Sequence, residues 1–108
     1  MVVKLNNISE HLRRKGDADW YKWKIFLKCS KEELDEIDYV TYILHPTFPN
    51  PIRKVSDRSS GFALSATGWG EFEIKAKIEY KTGKIQSISY WLDLSKERTD
   101  ESRPEVNP

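Results

Sequence analysis

Two short stretches carry the side chains with most to offer a ligand. In His45-Pro46-Thr47-Phe48 an imidazole and a hydroxyl stand two residues apart, and a phenyl ring follows at the mouth of a loop that also holds Pro49 and Pro51. In Thr67-Gly68-Trp69-Gly70 an indole lies between two glycines. Proline cannot donate to a β-ladder, so the first stretch is a loop, and loop side chains more often face a ligand than fill a core. Gly68 and Gly70 lack Cβ atoms, which lets another group approach the main chain on either side of Trp69. If Phe48 and Trp69 face one another, they frame a slot for a flat group between two π faces. Thr47 then offers a hydroxyl, His45 orients it, and backbone N–H groups near Trp69 complete the set. The competing reading has Phe48 and Trp69 capping one end of the core. Residue pattern alone leaves both open and leans slightly to the cap.

Nothing in the chain asks for catalysis. It holds no G-x-S-x-G elbow, P-loop, H-E-x-x-H pair or Cys/His cluster, and its two histidines are His11 and His45. No catalytic residue, metal or cofactor is therefore expected. Glu32, Glu33, Asp35, Glu36 and Asp38 lack the glycine and the ligand spacing of a calcium loop and read as a solvated connector. Cys29, the single cysteine, allows no intrachain disulfide, and it shares a face with Ile25 and Leu27, which makes it a buried, inert thiol.

Eighteen basic and seventeen acidic residues leave a net charge of +1, which gives no reason to expect a specific nucleic-acid partner. Arg13-Arg14-Lys15 reads as a solvated run. No apolar stretch approaches the roughly 18 residues of a membrane span, and the first residues lack the apolar core of a signal peptide. Asn7-Ile8-Ser9 matches a glycosylation acceptor, a pattern that chance often produces. An intracellular, monomeric protein without membrane contact is the expectation.

The elements that must position the two loops are strands. From Trp20, the residues Tyr21, Trp23, Ile25, Leu27 and Cys29 share one face against Lys22, Lys24 and Lys28, the period of a half-buried strand. Ser30-Lys31-Glu32-Glu33 has the form of a capping box and predicts one helical turn. Ile37 to His45 carries apolar side chains on both faces, as a central strand does. Short extended pieces are expected at Ile52–Val55 and at Phe62-Ala63-Leu64, separated by a turn over Asp57–Gly61. Gly70 to Tyr80 alternates strictly, and Lys84 to Leu94 returns as its hairpin partner across Lys81-Thr82-Gly83. The opening segment reads as a strand over Val2–Leu5, then a helical turn or charged loop over Ser9–Lys15. Residues 1–94 thus form one all-β domain, an antiparallel sandwich of about seven to eight strands. Residues 95–108 form a charged tail expected to be disordered.

Three motifs in order, His45-Pro46-Thr47-Phe48, Asn50-Pro51-Ile52-Arg53 and Thr67-Gly68-Trp69-Gly70-Glu71-Phe72-Glu73-Ile74, make the chain resemble the YEATS domain family over about Trp23 to Tyr80. The resemblance implies an immunoglobulin-like β-sandwich that reads acetylated or crotonylated lysine. It implies Phe48 and Trp69 as the walls around the acyl-amide and Thr47, supported by His45, as its hydrogen-bond partner. Backbone N–H groups of Gly68, Trp69 and Gly70 would meet the acyl carbonyl. The implied partner is an acylated protein or peptide, a histone tail in a eukaryotic nucleus. The chain departs from the family where Ser60-Gly61 replaces a Pro-Pro pair, in the lead Gly16-Asp17-Ala18-Asp19-Trp20, and in lacking a further pocket aromatic. Its compactness resembles the prokaryotic branch, which implies a cytoplasmic sensor or interaction domain that binds a different peptide or small ligand.

Overall fold

The computed structural model describes residues 3–16 and 18–95. Seven strands form two antiparallel sheets: β1 (Lys4–Lys15), β2 (Ala18–Lys28) and β5 (Leu64–Gly68) in the order β1-β2-β5, and β3 (Ile37–Ile43), β4 (Ile52–Val55), β6 (Glu73–Tyr80) and β7 (Ile85–Trp91) in the order β4-β3-β6-β7. The expected all-β sandwich is what the residues build, at seven strands.

The core lies between the sheets, where the alternation put it. Trp23, Ile25 and Leu27 face inward from β2, Ile74, Ala76, Ile78 and Tyr80 from β6, and Val40 and Tyr42 from β3. A register shift between Ile37 and Tyr39 explains how β3 buries Ile37 together with Val40, while Tyr39 stays half-buried on the other side. β3 is central, with β4 and β6 as its neighbours. The Ser30 capping box forms at the start of α1 (Lys31–Asp35): the Ser30 hydroxyl accepts the Glu33 N–H at 3.2 Å, and the Glu33 carboxylate accepts the Ser30 N–H at 3.0 Å.

Three expectations need correction. The charged segment Ser9–Lys15 is no helical turn or loop, because it continues β1 without a break. Its charges find partners across the ladder: Glu10 stands opposite Lys22, and Arg14 opposite Asp19 with an ion pair at 3.7 Å. Such pairs support a strand that local composition argues against. Second, Phe62-Ala63-Leu64 is not extended throughout. Gly61 (φ +74°) and Phe62 (φ +56°) both adopt the left-handed conformation, and β5 starts at Leu64. Phe62 is held there by its N–H to Asp57 at 3.0 Å and by the buried Tyr42 hydroxyl, which donates to its carbonyl at 2.7 Å. Burial pushes the Tyr42 phenol well above the usual tyrosine range, so it stays a donor. Third, Cys29 is half-buried against the core rather than fully enclosed. Burial and the nearby Glu33 carboxylate still push its thiol up, which keeps it protonated and poorly nucleophilic at neutral pH.

A buried polar group closes the sandwich at the chain's start. Asn7 is 0% exposed. Its side-chain amide donates to the Asp93 carbonyl at 2.9 Å and accepts the Asp93 N–H at 3.2 Å and the Tyr90 hydroxyl at 2.6 Å. Ser9 adds a hydrogen bond from its hydroxyl to the Leu94 carbonyl at 2.7 Å. These residues tie the first sheet to the segment after β7 in the second. With both ends of its amide engaged, Asn7 is a structural clamp and no glycan acceptor in the folded chain. The expected disordered tail lies, apart from Ser95, outside the described residues.

Candidate functional site

All six residues singled out from the sequence line a single cleft of about 440 Å³: His45, Thr47 and Phe48 from one loop, and Gly68, Trp69 and Gly70 from the other. Trp20, Pro49, Thr67, Glu71 and Phe72 complete its wall. The first loop leaves β3 and returns as β4, and the second joins β5 to β6, so the cleft bridges the ends of both sheets.

The first loop is held by its own main chain. The Leu44 N–H donates to the Pro51 carbonyl at 2.8 Å, closing the loop, and the Phe48 N–H donates to the His45 carbonyl at 3.0 Å, making a tight turn. Asn50 takes a left-handed φ of +49°, a conformation asparagine accepts better than most residues. Arg53 then grips the bend from β4. Its Nε donates to the Asn50 carbonyl at 2.6 Å and an Nη to the Pro49 carbonyl at 2.9 Å. Replacing Arg53 with alanine is expected to speed hydrogen exchange at the Phe48 and Leu44 amides several-fold, with a stability loss of about 1 kcal/mol.

Inside that loop, His45 and Thr47 form a unit. Nδ1 of His45 lies 2.9 Å from the Thr47 hydroxyl oxygen and accepts the Thr47 backbone N–H at 3.3 Å. A backbone N–H can only donate, so Nδ1 is the acceptor and the ring proton belongs on Nε2. The Thr47 hydroxyl then donates to Nδ1, which leaves its lone pairs to accept a hydrogen bond from a guest. Phe72, edge-on to the imidazole at 6.2 Å between centroids, backs the ring.

The two aromatic walls differ. Phe48 is half-buried, packed edge-on against Trp23 at 6.2 Å and tilted on Phe72 at 5.2 Å. Trp69 is 64% exposed. Among the described residues no ring contact joins Phe48 to Trp69, and both line the open cleft. The core-capping alternative therefore describes part of what Phe48 does and fits Trp69 poorly.

Three contributors escaped the residue pattern. Trp20 reaches the cleft wall from β2, opposite the register shift that sets Leu12 out of the β1 ladder. A bulge of this kind re-aims neighbouring side chains, and nothing in local sequence marks it. Glu71 reads from alternation as one more solvated charge on the strand expected from Gly70 to Tyr80, but β6 starts only at Glu73. The Glu71 carboxylate instead accepts the Leu94 N–H at 2.8 Å and the Trp91 indole N–H at 3.3 Å, pinning the far end of the Trp69 loop. Phe72, buried in the core, forms the floor. Among the described residues no lysine or arginine lines the cleft. Among the described residues no group of three His, Cys, Asp or Glu is placed to hold a metal, and no helix is long and apolar enough to cross a membrane.

A prokaryotic YEATS domain family model matches residues 21–93. Transcription initiation factor TFIID subunit 14 of Schizosaccharomyces pombe is 40% identical over 76 residues, 64% of this chain and 31% of that protein. The AF-9 homolog of Eremothecium gossypii is 41% identical over 64 residues, 56% of this chain and 29% of that one. The chain thus spans about three-tenths of the length of these curated relatives. Among solved structures, the Yaf9 YEATS domain bound to H3K27ac superposes with a TM-score of 0.67 at 27% identity, covering 86% of this chain and 73% of that one. The same domain recognising an H3K122suc peptide gives a TM-score of 0.68, also at 27% identity, covering 86% and 74%. The match takes in β3 to β7 whole, β2 from Tyr21 onward and both cleft loops, and the chain belongs to the prokaryotic YEATS domain family.

Proposed function

We propose that the chain is a non-enzymatic reader that grips a planar acyl-amide, that of an acetylated or crotonylated lysine, between Phe48 and Trp69. The observation that carries this reading is the His45–Thr47 pair, which sets a hydrogen-bond acceptor at the mouth of an aromatic cleft without a cation. An acyl-lysine amide presents one N–H and one carbonyl on a flat, neutral unit. Its N–H would donate to the Thr47 hydroxyl, and its carbonyl would accept from backbone N–H groups of the Gly68-Trp69-Gly70 loop. An unmodified lysine would have to bring a charge out of water into a cleft lined by rings, where the one carboxylate among the described lining residues, that of Glu71, is already engaged by the Leu94 and Trp91 N–H groups. A crotonyl chain, being planar, stacks better than an acetyl group.

The yeast Yaf9 domains bound to acylated histone H3 peptides support an acylated peptide as the partner. The family model, being that of the prokaryotic branch, favours a partner other than a histone and a cytoplasmic setting. It also favours a second reading, a monomeric sensor or interaction domain whose cleft takes another peptide or small ligand. Thr47→Val separates the two. The change keeps the shape of the side chain and removes the acceptor. Under the acyl-amide reading it weakens crotonyl-peptide binding about tenfold, measured by calorimetry with the fold checked by circular dichroism. Unchanged affinity would remove Thr47 from the contact and with it the proposed grip.

A further inference from the structure

We infer that the outer face of the first sheet extends the cleft and receives an acidic stretch of the peptide that carries the acyl-lysine, with Lys24 and Ser65 as its main contacts. The inference rests on the acyl-amide reading above and specifies the sequence around the modified residue.

The cleft and this face share an edge. In the β2–β5 ladder Ala66 and Leu64 stand opposite the buried Trp23 and Ile25, which turns Thr67 and Ser65 outward beside Lys22 and Lys24. Trp20 lies two residues before Lys22 on β2 and so shares its face. Trp20 and Thr67 both line the cleft, and Thr67 is the ladder partner of Lys22. Paired side chains have Cβ atoms about 5 Å apart, so Lys22 stands at the cleft's rim. One row further, about 7 Å along the strands, Lys24 lies between Ser65 of β5 and Ile8 of β1. Ile8, Glu10, Lys22, Lys24 and Ser65 border a shallow depression of about 170 Å³ there. Lys22, Lys24, Ser65 and Thr67 are all exposed.

The charge on this face is one-sided. Among the described residues, register and alternation place Lys4, Arg13, Lys22, Lys24 and Lys28 on it, against the carboxylate of Glu10. The outward residues of β6 in the other sheet mix signs, with Glu73, Lys75, Lys77 and Glu79. On the first sheet Lys4 stands directly opposite Lys28, an apposition of like charges that weakens a ladder. Glu10 stands opposite Lys22, whereas Lys24 has an isoleucine and a serine as ladder partners and faces no carboxylate in either ladder. A glutamate or aspartate laid in the depression would accept from the Lys24 ammonium and the Ser65 hydroxyl. A flank rich in lysine or arginine would meet like charge. Glu10 also interrupts the basic track, so the face suits a few carboxylates better than the evenly spaced phosphates of a nucleic acid.

The test uses the whole chain and crotonyl-lysine peptides in which about four residues on one side of the modified lysine, or on the other, are all glutamate, all glutamine or all lysine. Four extended residues span about 13 Å, enough to pass from the rim beyond the Lys24 row. On one of the two sides, glutamate is expected to tighten binding about fivefold over glutamine, and lysine to weaken it. The gap should narrow at about 0.5 M salt, as contacts between exposed charges do. Lys22→Gln combined with Lys24→Gln should bring the ratio of glutamate to glutamine affinities to about one. Both side chains are exposed, so the fold should survive the change. Glutamate and glutamine peptides that bind alike on both sides overturn the inference and leave the acyl-amide reading standing. A glutamate preference that persists in the double variant overturns it too. So does a mixed-sequence DNA duplex that binds more tightly than the glutamate peptide and loses its binding in the double variant. If no crotonyl peptide of the set binds, both readings fall.

Discussion

Trp69→Ala is expected to weaken acyl-peptide binding by about 1–3 kcal/mol, the usual worth of one aromatic stacking face, or roughly five- to hundredfold in Kd. The melting temperature should move by no more than a few degrees, since the ring is 64% exposed and makes no aromatic contact with the core. This separation of binding from stability is what sets a ligand wall apart from a core cap. Phe48→Ala makes the contrast. Its ring touches both Trp23 and Phe72, so the change should cost affinity and also about 2 kcal/mol of stability. Calorimetric titration and thermal melts on the two variants read both quantities. A large fall in melting temperature for Trp69→Ala would assign the indole to the core.

The largest loss of stability should come from a residue far from the cleft. Asn7→Leu removes three hydrogen bonds at once, to the Asp93 N–H, the Asp93 carbonyl and the Tyr90 hydroxyl, and leaves polar groups facing an apolar side chain. Orphaned buried groups cost about 1–3 kcal/mol each, so a loss of about 3 kcal/mol is expected. For a domain of this size that is a fall of roughly 15 °C in melting temperature. Asn7→Asp keeps two acceptor oxygens but cannot donate to the Asp93 carbonyl, and a charge at a fully enclosed position adds its own cost. It should not rescue the fold. A surface asparagine awaiting a glycan would tolerate both changes.

How far the residues alone carried the fold depended on where each element meets water. β6 was legible because one of its faces is solvated and the other is core, which prints a period of two on the chain. The same contrast gave the inward set of β2, while apolar side chains on both faces marked β3 as central. The charged part of β1, from Ser9 on, was hidden, because its stabilising partners are charges on another strand. Glu10 and Lys22 look like solvated residues until the ladder brings them together. The left-handed Phe62 was hidden for a different reason: a bulky residue with positive φ is held by its surroundings, here Asp57 and Tyr42, and leaves no mark of its own.

The cleft divides in the same way. Glycine, proline and aromatic residues in loops announced Phe48 and Trp69, and a two-residue spacing announced the His45–Thr47 pair. The supports came from elsewhere in the chain. Arg53 clamps the first loop from β4, and Glu71 fastens the second to Leu94 and Trp91. Spacing reports what one loop holds; it does not report what a distant strand does for it.

The most direct test of the central claim is an NMR titration of the chain with two peptides of one sequence, one carrying crotonyl-lysine and one the unmodified lysine. The crotonyl peptide should shift the Trp69 indole and Thr47 amide resonances at sub-millimolar concentration, and the unmodified peptide should leave both in place. If both resonances stay unmoved by crotonyl- and acetyl-lysine peptides at millimolar concentration, the cleft does not read acylated lysine.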